Sequence, residues 1–348
     1  MAARARRVLS AAASLGLVAA AAILTGPAAQ AAAGDVTEYA VPTPGSFPFG
    51  IAAGRDGNVW FTEDIGNKVG KITKSGAITE YPIPTAGSNP IGITAGPDGN
   101  IWFTESGTNK VASVTTYGVI TEYTIPGPYS KPVFIVAGPD GNLWFSQEWS
   151  SQIGRVTTSG VFTEFSPPTA NSVPEGIAVG PDGKLWFSEL GANQVANVTT
   201  DGAFTEFHLP TAGSDPAGIS AGPDGNVWIA ENDANRVAKV TMSGVITEYI
   251  VPTAGARPVY IVSGPDGRMW FTEQYGNKIG ALTTEGVFTE YPIPTGSSMP
   301  LGITVGLDRQ VWFVEDNANN VARIATGRIA ASQVPPAGHP RPRYLRLF

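Results

Sequence analysis

Chemistry in this chain has to come mainly from carboxylates. Its 348 residues include no cysteine and only two histidines, His208 and His339. That inventory leaves no thiolate nucleophile, disulfide, thiolate metal site or histidine cluster for zinc. His208 falls in an alternating TEFHLP segment and reads as a half-exposed strand position. No Ser-His-Asp arrangement and no glycine-rich phosphate loop leading into a helix is present. Adjacent acids such as Glu315 and Asp316 leave carboxylate acid–base chemistry open. Asp64, Glu148, Asp233 and Asp316 are oxygen donors of the kind a divalent cation takes.

A second set of residues could hold a ligand rather than transform it. Tyr129, Lys131, Phe134, Glu148 and Trp149 cluster within one short stretch, and Arg257, Tyr260 and Tyr275 within another. Aromatic faces beside charged groups suit stacking and polar recognition. Ordinary drift of surface loops would produce the same departures. Both readings stay open.

These residues are exceptions within a repeat. Tryptophan recurs at Trp60, Trp102, Trp144, Trp186, Trp228, Trp270 and Trp312, each 42 residues after the last. Thr-Glu-aromatic triplets ending at Tyr39, Tyr81, Tyr123, Phe165, Phe207, Tyr249 and Tyr291 keep the same step. A fixed period carried by two markers demands an array. Each unit contains four short β-rich segments punctuated by Asp-Gly and Thr-x-x-Gly turns, the content of a propeller blade. The expected fold is therefore all-β, a seven-bladed β-propeller with four-stranded blades over residues 35–326. After Trp312 no further triplet follows, so the N-terminal strand from Val36 is expected to complete the last blade.

Most repeated residues have structural explanations. The Asp-Gly pairs supply tight hairpin turns, with calcium binding as the alternative. The tryptophans read as core, with a carbohydrate platform as the alternative. Glu63, Glu105, Glu189, Glu231, Glu273 and Glu315, with Gln147 in the remaining unit, read as a hydrogen-bonding device within each blade. The loop before each Pro-x-Gly and the loop after each WFTE share one end of the ring. That loop face is where function is expected.

The ends read differently. Arg4, Arg6 and Arg7 precede an apolar run, and small-x-small sites end at Ala31 and Ala33, so residues 1–33 are expected to be a cleaved secretory signal peptide of a bacterial protein. No later stretch is long and apolar enough to span a membrane as a helix. All 29 acidic residues lie between Asp35 and Asp316, and the net charge is −7. Such an acidic body disfavours nucleic acid as a partner. Residues 327–348 form a basic, proline-rich tail expected to be disordered. The expectation is a secreted monomer that meets an extracellular small molecule, peptide or glycan.

The unit ITEYPIPTAGSNPIGITAGPDGNIWFTESGTNKV resembles the repeat of the streptogramin B (virginiamycin B) lyases, from Val36 to about Ala325. It is more loosely similar to NHL-type propellers. The resemblance implies a seven-bladed propeller and a magnesium-dependent elimination that opens cyclic depsipeptides without water. It also implies histidines at the Pro-x-Gly positions of the last two blades, a Glu in the last blade and a Tyr in the first. Those positions match Val259 and Leu301, Glu315 or Asp316, and Phe49. The full Pro-x-Gly column is Phe49, Ile91, Val133, Glu175, Ala217, Val259 and Leu301, without a histidine. The frame is expected to be kept and the imidazole base to be missing.

Overall fold

The computed structural model describes residues 32–326. The leader up to residue 31 and the tail from residue 327 lie outside the described residues. After β1 (Val36–Ala40), the first blade is built from β2 (Pro48–Ala53), β3 (Val59–Glu63), β4 (Lys68–Ile72) and β5 (Ile78–Pro82), paired in that order. Every pairing is antiparallel. Five more sheets repeat this order, and a seventh combines Pro300–Val305, Val311–Glu315 and Asn320–Ile324 with β1. The expected seven blades are present. A single 3-10 turn, Leu190–Ala192, interrupts an otherwise all-β architecture among the described residues.

Burial follows each strand's place. β3 (VWFTE) is buried at every residue, because its two faces pack against neighbouring blades. β5 (ITEYP) alternates between partly buried and exposed positions, as an outer strand facing water on one side does. Trp60 is fully buried and stacks on Tyr81 with ring centroids 5.7 Å apart. Lys71 caps the indole at 5.1 Å. Corresponding tryptophan–aromatic stacks occur in all seven blades.

The Asp-Gly turns do more than reverse the chain. Gly57 supplies the positive φ of 82°. Asp56 accepts from the backbone N–H of Asn58 at 3.1 Å and from the indole N–H of Trp60 at 3.3 Å. The same Asp-to-Trp bond recurs in every blade. Its aspartate therefore satisfies the one polar group of a buried tryptophan, which would otherwise cost free energy.

Closure joins first to last. β1 pairs with Asn320–Ile324 from Val36↔Ile324 to Ala40↔Asn320. The Asn319 side chain donates to the carbonyls of Val41 and Thr43. Thr295 donates through its backbone N–H and hydroxyl to Glu38 at 2.9 and 3.0 Å. The equivalent bond inside the ring runs from Thr43 to Glu80, so the joint reproduces an ordinary junction between blades.

Candidate functional site

Register sets which ends share a face. Pro48 lies opposite Glu63, Glu63 opposite Lys68, and Lys68 opposite Pro82. The loops before Pro-x-Gly and after WFTE therefore emerge together, as the strand order implied.

The innermost strands line an axial cavity of about 160 Å³, bordered by Phe49, Phe134 and Tyr260 among Pro-x-Gly-Ile backbones. Glycine in this column permits close approach between blades. A Cβ on Gly50 would lie 2.2 Å from the carbonyl oxygen of Ile91. Phe134 and Tyr260 replace that glycine in blades three and six, and their rings meet at 5.3 Å. Phe49 joins Tyr260 edge-on at 6.1 Å. Three aromatics from separate blades thus narrow the channel.

This divides the aromatic and charged candidates. Phe134 and Tyr260 belong to the axial cavity, not to the loop surface expected for Tyr260. The blade-three loop brings Tyr129, Lys131, Glu148 and Trp149 together. Tyr129 and Trp149 sit edge to face at 5.0 Å, Lys131 lies 5.7 Å from the Trp149 ring, and Lys131 pairs with Glu148 at 2.6 Å. Trp149 is 65% exposed. In blade six, Arg257 stacks over Tyr275 at 5.0 Å and pairs with Asp233 at 2.8 Å. Blades three and six lie on opposite sides of a seven-membered ring, so these are two patches, not one platform.

Backbone geometry marks the same rim. The residue before each strand-opening proline has φ between about 45° and 55°: Phe47, Asn89, Lys131, Val173, Asp215, Arg257 and Met299. Left-handed backbone is costly for side chains such as valine. In every blade the carbonyl of this residue accepts from the backbone N–H of the first residue after the WFTE-type strand, as Phe47 does from Asp64 at 3.0 Å.

The acids expected to gather around a cation do not do so. Glu148 and Asp233 are engaged by Lys131 and Arg257, and Asp64 accepts from Asn89 at 2.9 Å. Among the described residues no group of three or more histidine, aspartate or glutamate side chains lies close enough to hold a metal ion. These side chains do not by themselves assemble the magnesium site the resemblance implies. Asp64 and Asp316 remain near enough to repel: burial first and then Asp64 push the Asp316 carboxyl up to about 6.

Electrostatics single out Glu175, which the sequence placed in the Pro-x-Gly column without a role. Burial, then Asp215 and Glu148, raise its carboxyl to about 8, against a smaller opposing effect of Lys131. Tyr260 is 9% exposed. Burial, then Glu175 and Asp316, push its phenol well above the usual range. Among the described residues neither Glu175 nor the Tyr260 hydroxyl has a side-chain hydrogen bond. The available clue was that Glu175 is the one charged residue in a column otherwise apolar.

Val259 and Leu301 are buried apolar side chains, 7% and 5% exposed. Neither can accept a proton. Glu315 is fully buried at the end of its strand, and burial raises it to about 7 despite a hydrogen bond from Asn320 at 3.1 Å. Its counterparts behave alike: burial raises Glu63, Glu231 and Glu273 to about 8 and Glu105 and Glu189 to about 7. Gln147, the neutral isostere in blade three, donates to Glu164 at 3.2 Å. This ring is a buried structural feature in which burial disfavours the charged form of each carboxyl.

The profile of the Virginiamycin B lyase family matches residues 28–188 and 179–342. A solved streptogramin B lyase is 36% identical and superposes with a TM-score of 0.80, covering 84% of this chain and 97% of that one. Virginiamycin B lyase from Staphylococcus aureus is 38% identical with a TM-score of 0.80, covering 83% and 98%. Its catalytically inactive histidine-to-alanine variant, solved with quinupristin, matches equally well. A curated virginiamycin B lyase of Bacillus licheniformis is 51% identical over 41 residues, 12% of this chain and 14% of that protein. That local match spans about one repeat.

Proposed function

The chain belongs to the virginiamycin B lyase family, and from that premise we propose that it is a secreted ligand-binding propeller that does not run the lyase reaction through imidazoles. The observation that carries this reading is the apolar pair Val259 and Leu301, both buried, where the resemblance implies proton-transfer histidines. Loss of such a group typically lowers a rate by about 10²–10⁴-fold. In the S. aureus relative, a histidine-to-alanine change accompanies inactivity. The departures from the repeat gather at the loop end: the exposed Trp149 patch, the Arg257–Tyr275 patch and the narrowed axial cavity. An extracellular small molecule, peptide or glycan is bound over that end.

The test has two arms. Magnesium and a streptogramin B are incubated with the full chain, and chromatography separates any ring-opened product. Elimination gives an isomer of unchanged mass, whereas hydrolysis adds one water. Separately, Trp149 fluorescence is followed against panels of cyclic depsipeptides, peptides and oligosaccharides. A bound compound whose affinity is lost in Trp149→Ala at unchanged melting supports the reading. No turnover is expected.

One observation favours a second reading. Glu175 and Asp316 titrate close to neutrality, at about 8 and about 6, as groups suited to proton transfer do. An enzyme using Glu175 as base would open an ester or lactone by abstracting the proton α to a carbonyl, the pair forming a C=C bond as the C–O bond at the β carbon breaks and the ester oxygen leaves as a carboxylate. Turnover abolished by Glu175→Gln would establish it.

A further inference from the structure

The blade-three loops carry an aromatic pair that faces outward. Tyr129 takes the loop position of Gly45, Gly87, Gly213 and Gly255, where an added Cβ meets nothing within 4 Å. Trp149 takes the position of Ile65 and Gly107. The two rings meet edge to face at 5.0 Å. Hydrogen bonds pin them: the Trp149 backbone N–H donates to the Ser130 carbonyl at 3.0 Å, and the Tyr129 hydroxyl donates to the carbonyl of Ser106. Yet the Trp149 side chain is 65% exposed, so at least one face of its indole is open. Its ring N–H has no partner among the described residues, whereas the seven core tryptophans each donate to an aspartate. Beside it stand Lys131 and Glu148, paired at 2.6 Å and both partly exposed.

Resting on the ligand-binding reading above, we propose that this patch takes a neutral glycan, with one gluco-configured pyranose flat on the open face of Trp149 and its edge hydroxyls bonded to Glu148, Lys131 and the indole N–H. A pyranose whose hydroxyls are all equatorial presents only C–H groups on its faces, and these suit an aromatic plane. Its hydroxyls both donate and accept. The neighbouring groups match them: the carboxylate accepts, and the ammonium and indole N–H donate. The Lys131–Glu148 pair carries no net charge, so a charged ligand would have to break it. A peptide main chain is served less well. The backbone N–H groups of Glu148 and Trp149 are already given to the carbonyls of Lys131 and Ser130, which leaves no strand edge there to extend. Pinned rings also lose little freedom on binding, which favours affinity.

Cellotetraose is the probe, added to the full chain. The seven core tryptophans are buried, so quenching of fluorescence by iodide falls on Trp149. Cellotetraose is expected to protect Trp149 from iodide saturably. Calorimetry should find its affinity at least about tenfold lower in Trp149→Ala, the loss typical of an aromatic anchor. Glu148→Gln should lower it about fivefold, as loss of a charged hydrogen-bond partner does. The melting temperature should be unchanged in both variants, because partly exposed ion pairs contribute little to stability. Absence of protection, or equal affinity in the parent and Trp149→Ala, would overturn the glycan assignment. Protection by a cyclic depsipeptide or a linear peptide but not by cellotetraose would overturn it and leave the ligand-binding reading standing. Protection by none of the three would remove both.

Discussion

Phe134 and Tyr260 meet at 5.3 Å in the channel although they come from blades on opposite sides of the ring. Each occupies the position at which Gly50 and Gly92 let neighbouring strands close to contact distance. Two departures in sequence therefore make one feature in space. That feature distinguishes this propeller's axis from a repeat of identical blades.

Replacing Tyr260 by the repeat's own residue tests this. Tyr260→Gly is expected to fold and to widen the cavity. Its cost in urea denaturation should fall below the ~3–5 kcal/mol of truncating an aromatic in a sealed core, because one side of the ring already faces open space. A loss above that range would show the ring to be a packing keystone.

Removing the N-terminal strand should loosen the whole ring. Deletion of residues 35–43 strips β1 from Asn320–Ile324, removes the Tyr39 stack on Trp312 at 5.9 Å and leaves Thr295 without Glu38. A loss of several kcal/mol corresponds to a fall of about 10 °C or more in melting temperature. Calorimetry of the truncated chain checks it. An unchanged transition would contradict closure by β1.

The buried carboxyl ring makes stability depend on pH. Glu63 titrates near 8 when folded because burial disfavours its charge, and near its ordinary value of about 4.3 when unfolded. Its contribution is therefore complete below about 4.3 and is lost as pH rises through about 8. Glu63→Gln, which copies Gln147 of blade three, is expected to match the parent at pH 4 and to melt higher at pH 8. Melting curves across that interval decide it. A parallel offset at every pH would point to packing instead.

Lys131 is expected to hold Glu175 down. Lys131→Ala removes the one group that opposes the rise of that carboxyl and also frees Glu148, which pushes it further up. Carboxyl titration by ¹³C NMR should therefore move the Glu175 midpoint above about 8. A downward shift would place the local charges differently.

The blade count was legible because Trp60 and its six counterparts are dictated by packing, and packing repeats with the unit. Closure was legible for the same reason, since β1 carries a Thr-Glu-Tyr triplet with no blade of its own. Less visible was the Asp56 bond to Trp60, hidden behind the adequate explanation of a turn. The splitting of Trp149 from Tyr260 was also hidden, because sequence distance does not say which loop residue turns inward. Glu175 stood in plain view in the Pro-x-Gly column. Its significance depends on Asp215, Glu148 and Tyr260 being brought around it, and only the ring does that.

The most direct test of the central claim is chromatography of a streptogramin B incubated with magnesium and the full chain, beside Glu175→Gln. The account predicts that the cyclic substrate is recovered intact from both. A ring-opened isomer of unchanged mass, formed by the parent and absent with Glu175→Gln, would contradict it.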